Sequence, residues 1–246
     1  MFVLLFAVAV WAGCQNALAG GGSFVTLPAL ILSGLDARAA NIASTLALFP
    51  GQVTTGWVGR KLVSGAGGLS FRALVAVSLA GGALGAVLLL LTPSTFFARL
   101  VPWLVLFATG LFAYGSFVRR PAEAGPRVGP LAAGAMQFAI SVYGGYFGGG
   151  IGFLMLAALT AAGLAVRAAG ATKNVLASIM NAAAVAIFIF TPHIPWLRVA
   201  VVSVGAIAGG YGGAMLLKRV DERIIRGFVV LLGVALTVGL FIRQGR

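Results

Sequence analysis

Apolar runs long enough to cross a bilayer recur along almost the whole chain, and the basic residues gather in the short stretches between them. A transmembrane helix needs about 20 apolar residues. Segments of that kind read as 2–19, 23–34, 39–59, 73–92 and 100–118. After a polar stretch at 119–128 they continue as 129–147, 151–163, 168–190, 197–217 and 225–242. The runs are continuous rather than alternating, which excludes a membrane β-barrel. Only 9% of the 246 residues are charged, against about 25% in an ordinary soluble domain. A soluble enzyme, a disulfide scaffold and a disordered chain are therefore excluded. The expected fold class is an all-α polytopic membrane protein.

Seventeen basic residues stand against four acidic ones. They cluster between apolar runs instead of lining one face, so no nucleic-acid surface is expected. One Cys and one His build neither a disulfide nor a usual metal site. An intramembrane enzyme would need a nucleophile–base pair or a metal cluster, and no such set is found. No cofactor is called for. Cys14 is read as packing, and His193, between Pro192 and Pro195, as an exposed loop residue. Residues 1–19, ending Ala17-Leu18-Ala19, look like a signal-peptide core, and Trp11 to Cys14 hints at a lipoprotein box. No basic residue precedes the run, as a signal peptide requires, so this segment is expected to stay as a helix.

The two halves resemble each other. Ala19-Gly20-Gly21-Gly22-Ser23-Phe24 matches Phe147-Gly148-Gly149-Gly150-Ile151-Gly152. Further on, Gly34-Leu35-Asp36-Ala37-Arg38-Ala39-Ala40 matches Gly163-Leu164-Ala165-Val166-Arg167-Ala168-Ala169. Two motifs in one order, at spacings that differ by one residue, indicate an internal duplication. The first repeat is 1–118, the linker 119–128 and the second repeat 129–246.

Charge sets the expected orientation. One side would carry Arg60, Lys61, Arg72, Arg119, Arg120, Arg127, Arg167, Lys218, Arg219, Arg223 and Arg226. The other would carry Arg38, Arg99, Arg198, Arg243 and Arg246. The first side is then cytoplasmic. On that assignment the repeats run in opposite senses: two inverted repeats, each a broken, re-entrant helical hairpin plus three transmembrane helices. Secondary transporters often use this design, with the substrate between the repeats.

Polar positions inside the apolar runs are the candidates for a site. The triplets Gly20-Gly21-Gly22, with Ser23, and Gly148-Gly149-Gly150 read as tips of broken hairpins. A helix starting at mid-membrane would offer free N–H groups and its positive dipole end to an anion. Close helix packing is the other reading, and it is the one assigned to Gly81, Gly82, Gly85, Gly209, Gly210, Gly212 and Gly213. On the third segment of each half, Thr45 aligns with Asn174 and Gln52 with Asn181, seven residues apart and so on one face. Asn41 joins the first face and Ser178 the second, and these faces either meet substrate or bond helix to helix; Ser44 is a candidate as the counterpart of Lys173. Lys173, aligned with Ser44, is the one strong charge inside a span. It either faces an anion or snorkels to the interface. No Asp or Glu falls within a span. The expected substrate is an anion, whose exit from an inside-negative cell is electrically downhill. Pro28 and Pro50 are read as helix kinks.

The run from Ala19 to Phe24, followed by Pro28, Gly34, Ala39 and Asn41 to Thr45, resembles the sulfite exporter TauE/SafE family of bacterial membrane permeases. The second half is similar, with Gly148 to Gly150 and then Ala171-Thr172-Lys173-Asn174. The resemblance spans the chain. It implies transport of sulfite, organosulfonates or related small sulfur anions across the bacterial plasma (inner) membrane, with export the first reading and import of a sulfonate or other small organic anion the second. Asn41 aligns with Gly170, which leaves open whether both halves contribute equally. The expected partners are the small anion and the lipid bilayer, and self-association stays open.

Overall fold

The computed structural model describes residues 1–18, 21–114, 128–216 and 222–244. Among these the chain forms ten α-helices and no strand. In chain order they are α1 (Phe2–Leu18), α2 (Ser23–Leu32), α3 (Ala37–Gly59), α4 (Phe71–Leu91), α5 (Ser94–Ala113), α6 (Pro130–Tyr146), α7 (Ile151–Ala161), α8 (Val166–Phe188), α9 (Trp196–Leu216) and α10 (Glu222–Gln244). The helices follow the apolar segments closely. The clearest difference is α5, which begins at Ser94 rather than at residue 100. Arg99 and Pro102 both lie inside the helix. Arg99 is exposed near the helix start, where a long side chain reaches the interface cheaply. Proline is likewise tolerated in membrane helices when neighbours compensate. The polar linker, with Arg119, Arg120 and Arg127, and the loop residues Lys218 and Arg219 lie outside the described residues.

The chain is a polytopic membrane protein. Phe71–Leu91, Ser94–Leu111 and Val166–Phe188 are long and apolar enough to cross a bilayer, and shorter apolar helices include Phe2–Asn16 and Ile151–Ala161. Large apolar side chains point outward: Val3 is 84% exposed, Leu131 89% and Phe190 86%. Such a surface suits lipid and not water. Inside, Phe97, Phe147, Phe188, Leu27, Leu30 and Met155 are fully buried.

Equivalent segments of the two halves take equivalent shapes. α2 spans 10 residues and α7 spans 11, both too short to cross. Each ends in the same cap. Gly34 has φ +96° and Gly163 φ +95°. Leu35 N–H donates to Leu30 O, and Leu164 N–H to Leu159 O. Glycine relieves the left-handed strain at these C-caps, and the leucine beyond it packs back on its helix. The starts of the next helices differ. Asp36 caps α3 by accepting from the N–H groups of Arg38 and Ala39, both at 3.1 Å, whereas Ala165 leaves α8 without a side-chain cap. Arg38 also donates to Leu90 O and Thr92 O, closing the end of α4.

Packing is reciprocal between the halves. α1 packs on α9 and α6 on α4. α3 crosses α8, and α5 pairs with α10. Glycine lets these backbones approach. A Cβ at Gly209 would run into the Val10 carbonyl, one at Gly85 into the Val142 carbonyl, and one at Gly82 to within 2.5 Å of Met180 O. At Gly81 it would come within 2.9 Å of Phe138 O. Gly210 is looser, with Gly13 O at 3.9 Å. The surroundings of Gly212 and Gly213 lie outside the described residues. Cys14 is part of the α1–α9 contact, donating to Gly209 O at 2.9 Å. His193 sits exposed in the turn before α9, with φ +63°.

Candidate functional site

The glycine turns meet inside the bundle. Gly21 (φ +85°), Gly148 (φ +79°) and Gly150 (φ +75°) take backbone conformations that L side chains avoid. They reverse the chain so that α2 and α7 start in the interior. A Cβ on Gly148 would lie 4.0 Å from Ser23 Oγ, and one on Gly150 would lie 3.5 Å from the Phe24 ring. The two elbows are thus within touching distance. Gly20 lies outside the described residues.

A cavity of about 50 Å³ opens between them. Asn16, Gly21, Ser23, Gln52, Thr55, Gly148, Ile151, Gly152, Lys173, Asn174 and Ala177 line it. The volume leaves room for a few waters. The lining is rich in donors. Among the described residues, the backbone N–H groups of Ser23, Ile151 and Gly152 find no acceptor. These are first-turn amides of α2 and α7, where a helix offers its positive end. Neither helix has a side-chain cap to occupy them. Lys173 forms no hydrogen bond or ion pair with any described residue, and it is only partly exposed. An ammonium held this way calls for an anion.

Of the sequence candidates, Gly21, Ser23, Gln52, Gly148, Lys173 and Asn174 line the cavity. Gly22, Gly149 and Gly150 shape the elbows without lining it. Gly22 N–H donates to Asn16 Oδ1 at 3.5 Å, and Gly150 precedes the first turn of α7. Four candidates are placed elsewhere. Asn41 donates to Tyr146 O at 3.0 Å. The hydroxyls of Ser44 and Thr26, both buried, share a hydrogen bond at 2.6 Å. Thr45 donates to Asn41 O one turn back. Asn181 donates to Gln52 Oε1 at 2.5 Å from behind the cavity wall.

Geometry explains the split. α3 and α8 cross with Gly56 against Ser178 and Gly59 against Ala171, so late α3 meets early α8. The cavity therefore takes Gln52 and Thr55 from the last third of α3, and Lys173, Asn174 and Ala177 from the first half of α8. Asn41, Ser44 and Thr45 lie at the other end of α3. There the Thr26–Ser44 pair is buried in the packed interior. The polar faces also join the helices, since the single Ser178 hydroxyl proton is shared between Gln52 O at 2.7 Å and Asn174 O at 2.8 Å.

Asn16, Thr55 and Gly152 were not among the sequence candidates. Gln15-Asn16 is a polar pair inside an apolar helix, just ahead of the first glycine triplet, and that was the available signal. Gln15, 1% exposed, donates from Nε2 to Gly21 O at 3.1 Å and fastens the elbow.

A larger open hollow, about 940 Å³, is lined by Ser64 to Ser70, Val128 to Pro130, Ala162 to Ala165 and Ala168. Its lining carries no charged side chain, and it borders the linker, so the smaller, less open cavity is the better candidate.

At Gly150 a Cβ would also meet Ala108 Cβ at 3.0 Å. Gly150→Ala is expected to cost about 1–2 kcal/mol from the left-handed backbone alone. Thermal unfolding in detergent checks this. An unchanged midpoint would mean that the elbow relaxes to another turn.

Apolar helices enclosing a polar cavity define the class, an integral membrane transporter. The chain belongs to the Sulfite exporter TauE/SafE family, whose sequence profile matches residues 5–240. It is 29% identical over 248 residues to a "Probable membrane transporter protein" of Haemophilus influenzae, covering 100% of this chain and 96% of that one. It is 28% identical to "Probable membrane transporter protein YfcA" of Escherichia coli (strain K12), covering 96% of this chain and 88% of that one. A Sinorhizobium "Probable membrane transporter protein ORF9" is also 28% identical, over 98% and 92% of the two chains.

Proposed function

We propose that this protein is a permease for small sulfur oxyanions such as sulfite, in the bacterial inner membrane, working as an exporter. The observation that carries the reading is Lys173, a cation with no described partner, lining a cavity with unpaired helix N-terminal amides. Positive groups without acceptors stabilise a bound anion and disfavour a cation. The small volume favours a compact inorganic anion over a long sulfonate. Among the described residues, no carboxylate lines the cavity. Export of an anion down the membrane potential needs no coupling ion, at roughly 2.3 kcal/mol per charge per 100 mV.

Inverted repeats are part of the same proposal. The reciprocal packing of α1 on α9 and α6 on α4 supports them. So does the Gln52–Asn181 bond, because residues aligned between two repeats touch each other only near the axis that relates them. With the basic loops facing the cytoplasm, the cavity sits nearer the cytoplasmic side.

Sulfite flux in proteoliposomes under an imposed potential tests the reading. Flux that rises when the sulfite-loaded compartment is made negative, and that survives removal of sodium and of a pH gradient, is the expected result. Transport of a cation with no sulfite flux would refute it. Flux that requires a sodium or proton gradient would refute uncoupled export.

A further inference from the structure

Gln52 and Asn181 are the aligned pair of the two halves, and they bond to each other where α3 crosses α8. Two amides meeting this way are not equivalent: one gives its oxygen and the other its NH₂. Asn181 Nδ2 donates and Gln52 Oε1 accepts. A carboxamide is planar, with its oxygen and nitrogen on opposite sides. Committing the oxygen of Gln52 to Asn181 turns its NH₂ away from Asn181. Gln52 lines the cavity and Asn181 does not. The NH₂ of Gln52 finds no acceptor among the described residues.

We propose that Asn181 is a positioning residue for anion specificity: it fixes the amide of Gln52 so that a donor, and not an acceptor, faces the cavity. This rests on the anion-permease reading of the site and assigns its selectivity to a particular contact. With the Asn181 bond in place, Gln52 adds an N–H to those of Ser23, Ile151 and Gly152 and to the Lys173 ammonium. Without it the amide is free to turn, and half of its orientations present a carbonyl oxygen to a negative ligand. Asn181 is 3% exposed, and Ser178, one turn before it, bonds the Gln52 backbone oxygen at 2.7 Å. The Gln52 main chain is thus fixed on α8 independently of its side chain. The asymmetry of the pair also suits the geometry, since the longer side chain reaches the cavity and the shorter one stays behind it.

A double-mutant cycle tests this. Sulfite binding to the full-length protein in detergent is measured by calorimetry for wild type, Asn181→Leu, Gln52→Leu and the double variant. Asn181→Ala is run in parallel in case leucine does not fit. Thermal midpoints without sulfite are recorded for all. Gln52→Leu is expected to weaken sulfite about tenfold by removing a hydrogen bond to a charged ligand. Asn181→Leu or Asn181→Ala is expected to weaken it about fivefold, with no further loss on top of Gln52→Leu. Affinity unchanged by either substitution at 181, or a loss that adds in full to that of Gln52→Leu, would overturn the assignment. A loss that merely tracks the sulfite-free midpoint would overturn it too. No sulfite binding by wild type would remove the anion reading and this assignment together, whereas wild-type binding that the 181 variants leave intact would remove the assignment alone.

Discussion

Lys173→Met is expected to reduce sulfite affinity and flux by about a hundredfold while leaving the protein at least as stable as before. Lys173 lines the cavity, and its ammonium has no hydrogen bond or ion pair with the described residues. Its removal therefore breaks nothing internal, and it relieves the burial of an uncompensated charge. Losing a charge-assisted contact to a largely dehydrated anion costs on the order of 3 kcal/mol, which is the hundredfold. Methionine keeps the length and apolar stem of lysine, so α8 keeps its packing. Lys173→Arg retains the charge but not the compact head and should recover part of the affinity. The check is calorimetric titration with sulfite beside thermal unfolding without it. Loss of binding in step with loss of stability would instead make Lys173 structural. Unchanged binding would place its ammonium at the interface, not in the site.

The other large effect is on assembly. Gly209→Val is expected to destabilise the fold by about 3 kcal/mol or more, because overpacking a close contact forces backbone movement. A Cβ there would collide with the Val10 carbonyl, which the α1–α9 contact holds in place, and Cys14 donates to Gly209 O in the same contact. The neighbouring Gly210→Ala provides the control. Its Cβ would find only Gly13 O, at 3.9 Å. It should leave the midpoint unchanged or raise it, since alanine gains up to about 1 kcal/mol over glycine in a helix. Thermal unfolding of both variants distinguishes local crowding from a general intolerance of side chains on α9. Equal effects would mean that the helices approach differently.

Much of the architecture was legible in the residues. Continuous apolar runs with polar breaks place helix ends, and two glycine triplets beside short segments announce broken hairpins. The matched Gly34 and Gly163 were legible for a backbone reason: both close a helix in a left-handed cap. Lys173 stood out because a charge in hydrocarbon has to be explained. Other features depended on depth and on partner helices, which one-dimensional reading does not supply. Thr45 and Asn174 align and share a helix register, yet only Asn174 reaches the cavity, because α3 and α8 cross end for end. Asn41 and Ser44 looked equally functional, but each is satisfied by a neighbour, Tyr146 or Thr26. Asn16 carries a weak signal in the sequence, because it lies on α1 and not on the matched polar faces of α3 and α8. The buried bond from Gln137 to Ser78, at 2.8 Å between α6 and α4, likewise depends on which helices meet. α5 starts at Ser94, ahead of its apolar run, because Arg99 is exposed near the helix start and costs little there.

The central claim is that two glycine elbows and Lys173 enclose a binding place for an oxyanion. Selenite has the shape and charge type of sulfite, and selenium scatters anomalously. The direct measurement is an anomalous difference map from crystals of the protein soaked in selenite. The expected result is a peak in the cavity, within hydrogen-bonding reach of the Lys173 ammonium and of the Ile151 and Gly152 amides. A cavity without a peak, in crystals that bind selenite elsewhere in the bundle, would contradict it.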